Sequence, residues 1–310
     1  MKKFSLGKCA YMALCCFLMG CIYTFESAYG RRVGTIGVLS TQSVTYPHEY
    51  NTAVGITELL VKLGAKSVTL LDYNKIVEGA GGTSAGMAAI KDSLGRFLRE
   101  NGVDRILIPG NYYNVVSPPL PPTPNRQLVT DAMVGLIDDG ANLRFLAICG
   151  GLQNVLHSKR IKLNKVRDIL GSDKMADSHN IADPDPRLPG VPLMRVKALP
   201  GTKLESIVRK VNAGGDLVFY LPDAHKEAID NAPENIKKLK ALGYKIAAVS
   251  EDGIIEALED RTGNILIQMH PEYMLMNADK KTGRHRAVDR AIAVALAIIT
   301  DFLGGGSAGD

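Results

Sequence analysis

The chain has 310 residues, of which 46% are hydrophobic and 22% are charged, and its formal net charge is +5. This composition is ordinary for a globular protein, and the length allows one large domain or two small ones. The positive charge is mild and is not gathered into runs of Lys or Arg, so we expect no nucleic-acid partner.

The first thirty residues predict an export signal. The basic stretch MKKFSLGK precedes the apolar stretch CAYMALCCFLMGC, which is short for a membrane-spanning helix of roughly 20 apolar residues. Two processing sites fit: LMGC resembles a lipoprotein box that would acylate Cys21, and SAYG resembles an ordinary cleavage site ending at Gly30. The alternative is that the N-terminal segment is not cleaved and anchors the protein in the membrane. We expect an exported, periplasmic protein that meets the membrane only through its signal or a lipid anchor.

Apolar runs alternate with amphipathic segments in the first half of the remaining chain. The predicted strands are 33–40, 67–72, 104–110 and 144–148, and the predicted helices are 52–65, 84–101 and 126–141. This alternation predicts an α/β fold with three layers, in which helices cover both faces of a mostly parallel, flavodoxin-like sheet.

The second half has a different pattern. The stretch 176–192 is rich in Pro and Asp and is predicted to be a loop. Short predicted strands follow and favour a small antiparallel ribbon; they are 192–199, 216–220, 244–250, 253–259 and 264–269. A closing helix is predicted over 285–303. We therefore expect a signal in residues 1–30, one domain in 31–303 and a disordered tail in 304–310.

Cys149 lies where a predicted strand turns into a helix, in RFLAICGGLQNVLHS, and it is the only cysteine outside the signal. In an exported chain such a thiol is a buried hydrophobe or a reactive group. A strained corner at a strand end presents a nucleophile when the residues two before and two after it are small, as Ala147 and Gly151 are. The helix start favours thiolate, and the N–H of Gly150 would face an oxyanion.

A base for this thiol is available in ILIQMHPEYM, where His270 follows a predicted strand and Glu272 comes two residues later. Imidazole can take the thiol proton, and a carboxylate can fix its tautomer and stabilise the imidazolium. A histidine after a strand is usually only a polar terminus. Its combination with a small-x-Cys-x-Gly corner favours a catalytic pair.

In this order of motifs the chain resembles the class I glutamine amidotransferases, and among them the γ-glutamyl hydrolase and γ-glutamyl-γ-aminobutyrate hydrolase branch. AICGGLQ is similar to the Gly-Ile-Cys-Arg-Gly-x-Gln elbow of that family, and the IPG of 108–110 to its Pro-Gly-Gly oxyanion turn. SEDGIIEALE matches an Asp-Gly-x-Ile-Glu-Ala segment, and PDAHKEAI a Ser-x-His-x-Gln-Ala stretch. The resemblance covers most of 33–273.

The resemblance implies hydrolysis of γ-glutamyl bonds through a γ-glutamyl thioester, with a small γ-glutamyl compound or peptide as partner and with neither cofactor nor metal. It leaves the oligomeric state open. The implied site residues fall into three groups: catalytic Cys149, His270 and Glu272; oxyanion-binding Gly110, Asn111 and Gly150; and substrate-binding Gln153, His225 and Tyr112.

Two departures from the family pattern lie beside the nucleophile. Gly150 stands where the elbow has Arg, and Asn111 stands where the oxyanion turn has its second Gly, followed by Tyr112 and Tyr113. They favour a changed, less anionic leaving group that two tyrosines can stack on or hydrogen-bond. The alternatives are a catalytically weak or inactive binding protein of the same fold and a glutaminase-type amidotransferase subunit.

Two other patterns are interpreted as structural. GTSAG, 82–86, fits the serine elbow Gly-x-Ser-x-Gly, but no clean strand precedes it. It is predicted to be a loop in which Thr83 or Ser84 caps the next helix. The histidines His157, His179 and His285 lack metal-ligand spacing and are predicted to lie on the surface or in loops.

Overall fold

The computed structural model describes residues 34–42, 47–121, 123–180, 193–212, 215–278 and 286–304. The predicted signal with both of its processing sites lies outside the described residues, as do 305–310 of the predicted tail and most of the loop predicted for 176–192. Among the helices that are described, none has the length and apolarity to cross a membrane.

The secondary structure alternates between strands and helices along most of the chain. The strands are β1 (Thr35–Ser40), β2 (Val68–Asp72), β3 (Val103–Ile108), β4 (Arg144–Ile148), β5 (Leu163–Lys165), β6 (Met194–Ala198), β7 (Val218–Leu221), β8 (Glu227–Ile229), β9 (Lys245–Ser250), β10 (Ile255–Glu259) and β11 (Ile265–Ile267). The helices are α1 (Pro47–Lys62), α2 (Tyr73–Gly79), α3 (Met87–Glu100), α4 (Asn125–Asp138), α5 (Gly150–Ser158), α6 (Val166–Leu170), α7 (Asp173–Asp177), α8 (Lys203–Val211), α9 (Pro233–Ala241), α10 (Pro271–Met276) and α11 (Arg286–Gly304).

The main sheet has nine strands in the order β2-β1-β3-β4-β11-β10-β9-β6-β7. The first five strands pair in parallel, and the remaining pairings are antiparallel. β5 and β8 form a separate two-stranded antiparallel sheet. The prediction of an α/β fold with a mostly parallel sheet and added antiparallel strands is therefore confirmed, and β10, β9, β6 and β7 continue the main sheet in antiparallel pairings.

Two hydrophobic cores lie on opposite faces of this sheet. In β4 the side chains alternate between them: Phe145 and Ala147 belong to the core under α2, α3, α4 and α5, whereas Leu146 and Ile148 belong to the core under α1, α8 and α11. This alternation follows from the two-residue period of a strand. Because both faces are covered, β4 is apolar almost throughout, as expected for a strand inside three layers.

One predicted detail is wrong, and several helices were not predicted. α3 begins at Met87 after an N-cap at Gly86 that makes no side-chain cap hydrogen bond, so neither Thr83 nor Ser84 caps the helix. α8 was missed although its sequence carries an N-cap signal: the hydroxyl of Thr202 accepts from the N–H of Glu205 at 3.0 Å. Its nine residues are too short for a strong periodic pattern.

Candidate active site

Three neighbouring strands deliver the site residues to one edge of the sheet. β3 leads into Pro109 and Gly110, β4 leads into Cys149, and β11 is followed at a short distance by His270. β3, β4 and β11 are parallel neighbours, and the carboxyl ends of parallel strands meet at the same edge. Residues separated by more than 150 positions in the sequence are thereby brought into contact.

Cys149 forms a sharp turn between β4 and α5. Its φ of 49° and ψ of −111° are unusual for a residue with a side chain, and such a conformation costs on the order of 1–3 kcal/mol. Its N–H donates to the carbonyl of Ile267 at 2.7 Å, which ties the turn to β11. A Cβ at Gly151 would lie 2.2 Å from the carbonyl oxygen of Ile108, so this position of the elbow requires glycine.

His270 lies between Cys149 and Glu272. Its Nδ1 is 2.7 Å from Oε1 of the buried Glu272, which leaves Nε2 for the hydrogen bond with Cys149. Burial opposes the charge on the imidazole, but Glu272 and Cys149 outweigh it and raise the pKa of His270 well above its ordinary value. Nδ1 is therefore directed to Glu272, and the raised pKa stabilises the imidazolium that exists after His270 has taken the thiol proton.

Two backbone N–H groups beside Cys149 are available to an oxyanion. Within the described residues, neither the N–H of Asn111 nor that of Gly150 makes a hydrogen bond, and Gly150 is the first residue of α5. The turn at Gly110 passes close to His270, since a Cβ at position 110 would lie 3.0 Å from Cε1 of that residue. Free donors at a helix start match what a tetrahedral intermediate requires.

The two departures beside the nucleophile form one coupled change. A Cβ at Gly150 would lie 2.2 Å from Oδ1 and 2.4 Å from Cγ of Asn111. The Asn111 side chain therefore occupies the space that a side chain at 150 would need. Its Nδ2 is buried and has no hydrogen-bond partner among the described residues, so it adds a donor to the wall of the site.

These residues line a cavity of about 410 Å³, a size suited to a small molecule. Tyr112 lies at its rim, where it is 64% exposed and its hydroxyl is 2.9 Å from Oγ1 of Thr52. Lys226 is the only Lys or Arg in the part of the lining that the structure describes. The lining thus has one side-chain cation of the Lys or Arg type, two carboxylates, Glu227 and Glu272, and three tyrosines.

Gln153 and His225 both line the cavity but are already engaged in its wall. Nε2 of Gln153 donates to the carbonyl of Glu227 at 2.7 Å and to Oε1 of Gln268 at 3.3 Å, which leaves its carbonyl oxygen for a ligand. Nδ1 of His225 donates to the same Glu227 carbonyl at 2.9 Å, and Nε2 is 3.1 Å from Asp223. Both ring nitrogens of His225 are therefore engaged within the wall.

Of the patterns interpreted as structural, Ser84 is exposed in a turn and is not part of the cavity lining. His157 is exposed, as predicted, and His285 lies outside the described residues. His179 lies in the turn after α7, which agrees with the prediction of a loop, but it is completely buried rather than on the surface. Its ring nitrogens lie 2.8 Å from Asp223 and 2.9 Å from Asp252. Both carboxylates come from segments that are distant from His179 in the sequence.

The sequence also gave no sign of Arg126, which supports the oxyanion turn. Its side chain is buried, donates to the carbonyl of Pro109 and pairs with Glu49. Its Nε donates to Oδ1 of Asn154 at 3.0 Å. In the sequence, Arg126 falls on a predicted helix, where a charged side chain is usually exposed. Only the packing of α1, α4 and α5 shows that its side chain fixes the turn before Gly110.

Glu227 holds the segment after the oxyanion turn. Its carboxylate accepts from the N–H of Val115 at 2.6 Å and of Ser117 at 2.7 Å, and also from the N–H of Val116. A buried carboxylate with several backbone donors is well satisfied. Residues 115–117, which lie between the cavity-lining residues Asn114 and Pro119, are thereby held in place.

The family model described as Peptidase C26 matches residues 56–272. Among solved structures, the chain is similar to one described as SMU.1228c, with 9% identity, a TM-score of 0.46 and coverage of 86% of this chain and 99% of that one. It is also similar to a glutamine amido transferase from Methylobacillus flagellatus, with 11% identity, a TM-score of 0.48 and coverage of 90% and 98%. No curated protein sequence matches the chain significantly.

Proposed function

The chain belongs to the peptidase C26 family of cysteine-type hydrolases, and from this membership we propose that it hydrolyses γ-glutamyl amide bonds through a thioester on Cys149. One observation carries the proposal: Cys149 stands on a strained turn and interacts with His270, which is in turn 2.7 Å from Glu272. Nucleophile, base and orienting carboxylate are thus in contact.

Acylation begins when His270 takes the proton of the Cys149 thiol and the sulfur attacks the γ-carbonyl carbon of the substrate. The carbonyl oxygen becomes an oxyanion, which the N–H groups of Asn111 and Gly150 stabilise. His270 then gives the proton to the amide nitrogen, the C–N bond breaks and the amine leaves. Glu272 remains ionised and stabilises the imidazolium throughout.

Deacylation reverses these roles. Water enters in place of the amine, His270 takes a proton from it, and the hydroxide attacks the thioester carbonyl. The same two N–H groups hold the second oxyanion. The C–S bond breaks, glutamate leaves, and the proton on His270 returns to Cys149.

The preference for a γ-glutamyl group is supported by the family and by Gln153, which the elbow retains. Both hydrogen bonds of Gln153 use Nε2, so its side-chain carbonyl oxygen is available to the substrate. The amine side of the bond would face Asn111, Tyr112 and Gly150, where the usual Arg is missing. We propose a weakly charged leaving group, such as the amine of a γ-glutamyl peptide from the cell wall. Residues 1–30 support a periplasmic site for the reaction.

The test compares γ-glutamyl and α-glutamyl versions of the same peptide as substrates. We expect a higher kcat/KM for the γ-linked peptide and, on rapid quenching, a glutamyl mass on Cys149. Cys149→Ser and His270→Ala should each lose several orders of magnitude in kcat, because the pair acts as a unit. His157→Ala, which changes an exposed histidine outside the cavity, is the matched control and should keep full activity.

A preference for the α-linked peptide, or none, would remove the γ-glutamyl assignment while leaving the cysteine hydrolase intact. An inactive binding protein predicts a different pattern, with binding of the peptide but no label on Cys149 from a glutamine-like electrophile. The free N–H groups of Asn111 and Gly150 favour turnover over that alternative.

A further inference from the structure

A cluster of two histidines and two carboxylates lies in the wall behind Cys149, and the proposed reaction does not use it. It consists of His179, Asp223, His225 and Glu256, all at most 4% exposed. One potential ligand atom from each residue lies within 4.8 Å of the others. Burying four titratable side chains together is costly unless their charges compensate one another.

The outer nitrogen of each imidazole is held by an acceptor outside the cluster. Nδ1 of His225 donates to the carbonyl of Glu227 at 2.9 Å, and Nε2 of His179 is 2.9 Å from the carboxylate of Asp252. These contacts fix the tautomers, so the other nitrogen of each ring can present a lone pair to the cluster. Carboxylates and carbonyls fulfil this orienting role behind metal-bound histidines.

The carboxylates of the cluster have oxygen atoms with no hydrogen-bond donor. Both oxygens of Glu256 and Oδ1 of Asp223 are buried and make no hydrogen bond among the described residues, so the nearby imidazoles contact them only as ion pairs. Buried carboxylate oxygens are normally hydrogen-bonded or bound to a cation.

The spacing of these atoms fits a four-coordinate ion. Nδ1 of His179 is 2.8 Å from Asp223 and 3.4 Å from Glu256, and Nε2 of His225 is 3.1 Å and 3.9 Å from the same two residues. Ligands placed tetrahedrally about 2.1 Å from a zinc ion lie about 3.4 Å apart, which is in the middle of this range. An ion there would replace the contacts between imidazole and carboxylate.

We propose that His179, Asp223, His225 and Glu256 bind one divalent transition-metal ion of the zinc type. Two imidazole nitrogens favour such an ion over Ca²⁺ or Mg²⁺, which prefer oxygen ligands throughout. The ion's two positive charges balance the two buried carboxylates when both histidines are neutral. This site departs from the expectation, drawn from the family resemblance, that no metal is involved.

The ion would fasten the cavity wall nearest to the nucleophile. The N–H of His225 donates to the carbonyl of His179 at 2.7 Å, and Asn180 pairs with Ala224 in an isolated bridge. The carbonyl of Ala224 lies 4.0 Å from Sγ of Cys149. The cluster thus joins the segment after α7, the β7–β8 connection and β10, and we assign the ion a positioning role.

The test is titration of the full-length, tag-free chain with Co²⁺ and Zn²⁺ after dialysis against a chelator. All proteins carry serine in place of the four cysteines of the predicted signal, because thiolates there would bind the same ions; these are Cys9, Cys15, Cys16 and Cys21. We expect about one equivalent of Co²⁺, with the strong visible absorption of a four-coordinate site and no sulfur-to-cobalt charge-transfer band.

Variants locate the ion. Glu256→Gln keeps the shape of the side chain, and His179→Ala removes a ligand; each should abolish the cobalt spectrum and the rise in Tm on adding Zn²⁺. His157→Ala should keep both, since that histidine is exposed and far from the cluster in sequence. Cys149→Ser should also keep both, which excludes binding by the catalytic pair.

Two results would overturn the proposal of a metal site, and both are measured on folded protein. One is no binding of Co²⁺ or Zn²⁺ to the chain with an intact cluster, which would leave a metal-free network of ion pairs. The other is unchanged binding by Glu256→Gln with native near-ultraviolet circular dichroism. Neither result bears on the hydrolase proposal, which is measured on Cys149.

Discussion

Replacing Gly150 with Ala should severely damage the oxyanion site. The new Cβ would lie 2.2 Å from Oδ1 of Asn111 and 2.9 Å from its backbone nitrogen, both far inside van der Waals contact. The φ of Gly150 is not in the left-handed region, so the backbone itself accepts alanine. The clash must instead displace Asn111, whose N–H is one of the two proposed oxyanion donors.

The size of the loss follows from that displacement. Removing one donor from an oxyanion hole costs about 10²–10³ in kcat, or about 2.7–4 kcal/mol of transition-state stabilisation. Overpacking adds a loss of about 1–3 kcal/mol in the free energy of unfolding. Asn111→Gly in the same chain removes the atoms at 2.2 and 2.4 Å but leaves the backbone nitrogen at 2.9 Å. The double variant should therefore recover only part of the lost kcat.

The assay is steady-state hydrolysis of the γ-glutamyl peptide by both single variants and the double variant, with urea unfolding in parallel. A double-mutant cycle then gives the coupling energy between positions 111 and 150. Gly86→Ala is the control, because a Cβ there meets nothing within 4 Å. The reasoning fails if Gly150→Ala keeps kcat within about threefold of the parent, or if the two substitutions act additively.

Three further predictions concern the base, the support of the oxyanion turn and the N-terminus. Glu272→Gln should lower kcat by up to about 10⁴. Because Glu272 raises the pKa of His270, the alkaline limb of the pH profile of kcat/KM should also move to lower pH in this variant. An alkaline limb at the same pH as in the parent would contradict the pairing of Glu272 with His270. Arg126→Gln breaks a buried ion pair and should cost about 3–5 kcal/mol of unfolding free energy, whereas the exposed Arg99→Gln should cost little in the same urea titration. If the lipoprotein box is used, metabolic palmitate labelling of the native cells should be lost in Cys21→Ala, and a full-length cytoplasmic product would refute export.

Local patterns were sufficient for the main strands and for the catalytic motifs. β4 was predicted with the bounds that the structure has, because a strand buried on both faces is apolar throughout and ends where glycines begin. The Cys149 corner and the His-Pro-Glu segment were recognised for a similar reason. An elbow needs small residues at fixed offsets, and those offsets are local in sequence.

The short elements were harder to predict. β5, β8 and α10 have three to six residues each, too few for a period of two or 3.6 to stand out. Their conformations depend on what they pack against. The predicted cap of α3 also failed: Thr83 and Ser84 are both common cap residues, but the helix begins only after Gly86.

The sequence by itself thus determined the α/β class and named the candidate site residues in their order along the chain. Only the tertiary structure showed that Asn111 fills the space above Gly150, that Arg126 holds the oxyanion turn, and that His179 is buried against Asp223. The physical reason is the separation along the sequence over which each effect acts. Periodicity and turn chemistry act over a few residues, whereas steric exclusion and the pairing of buried charges join side chains that only the folded sheet brings together.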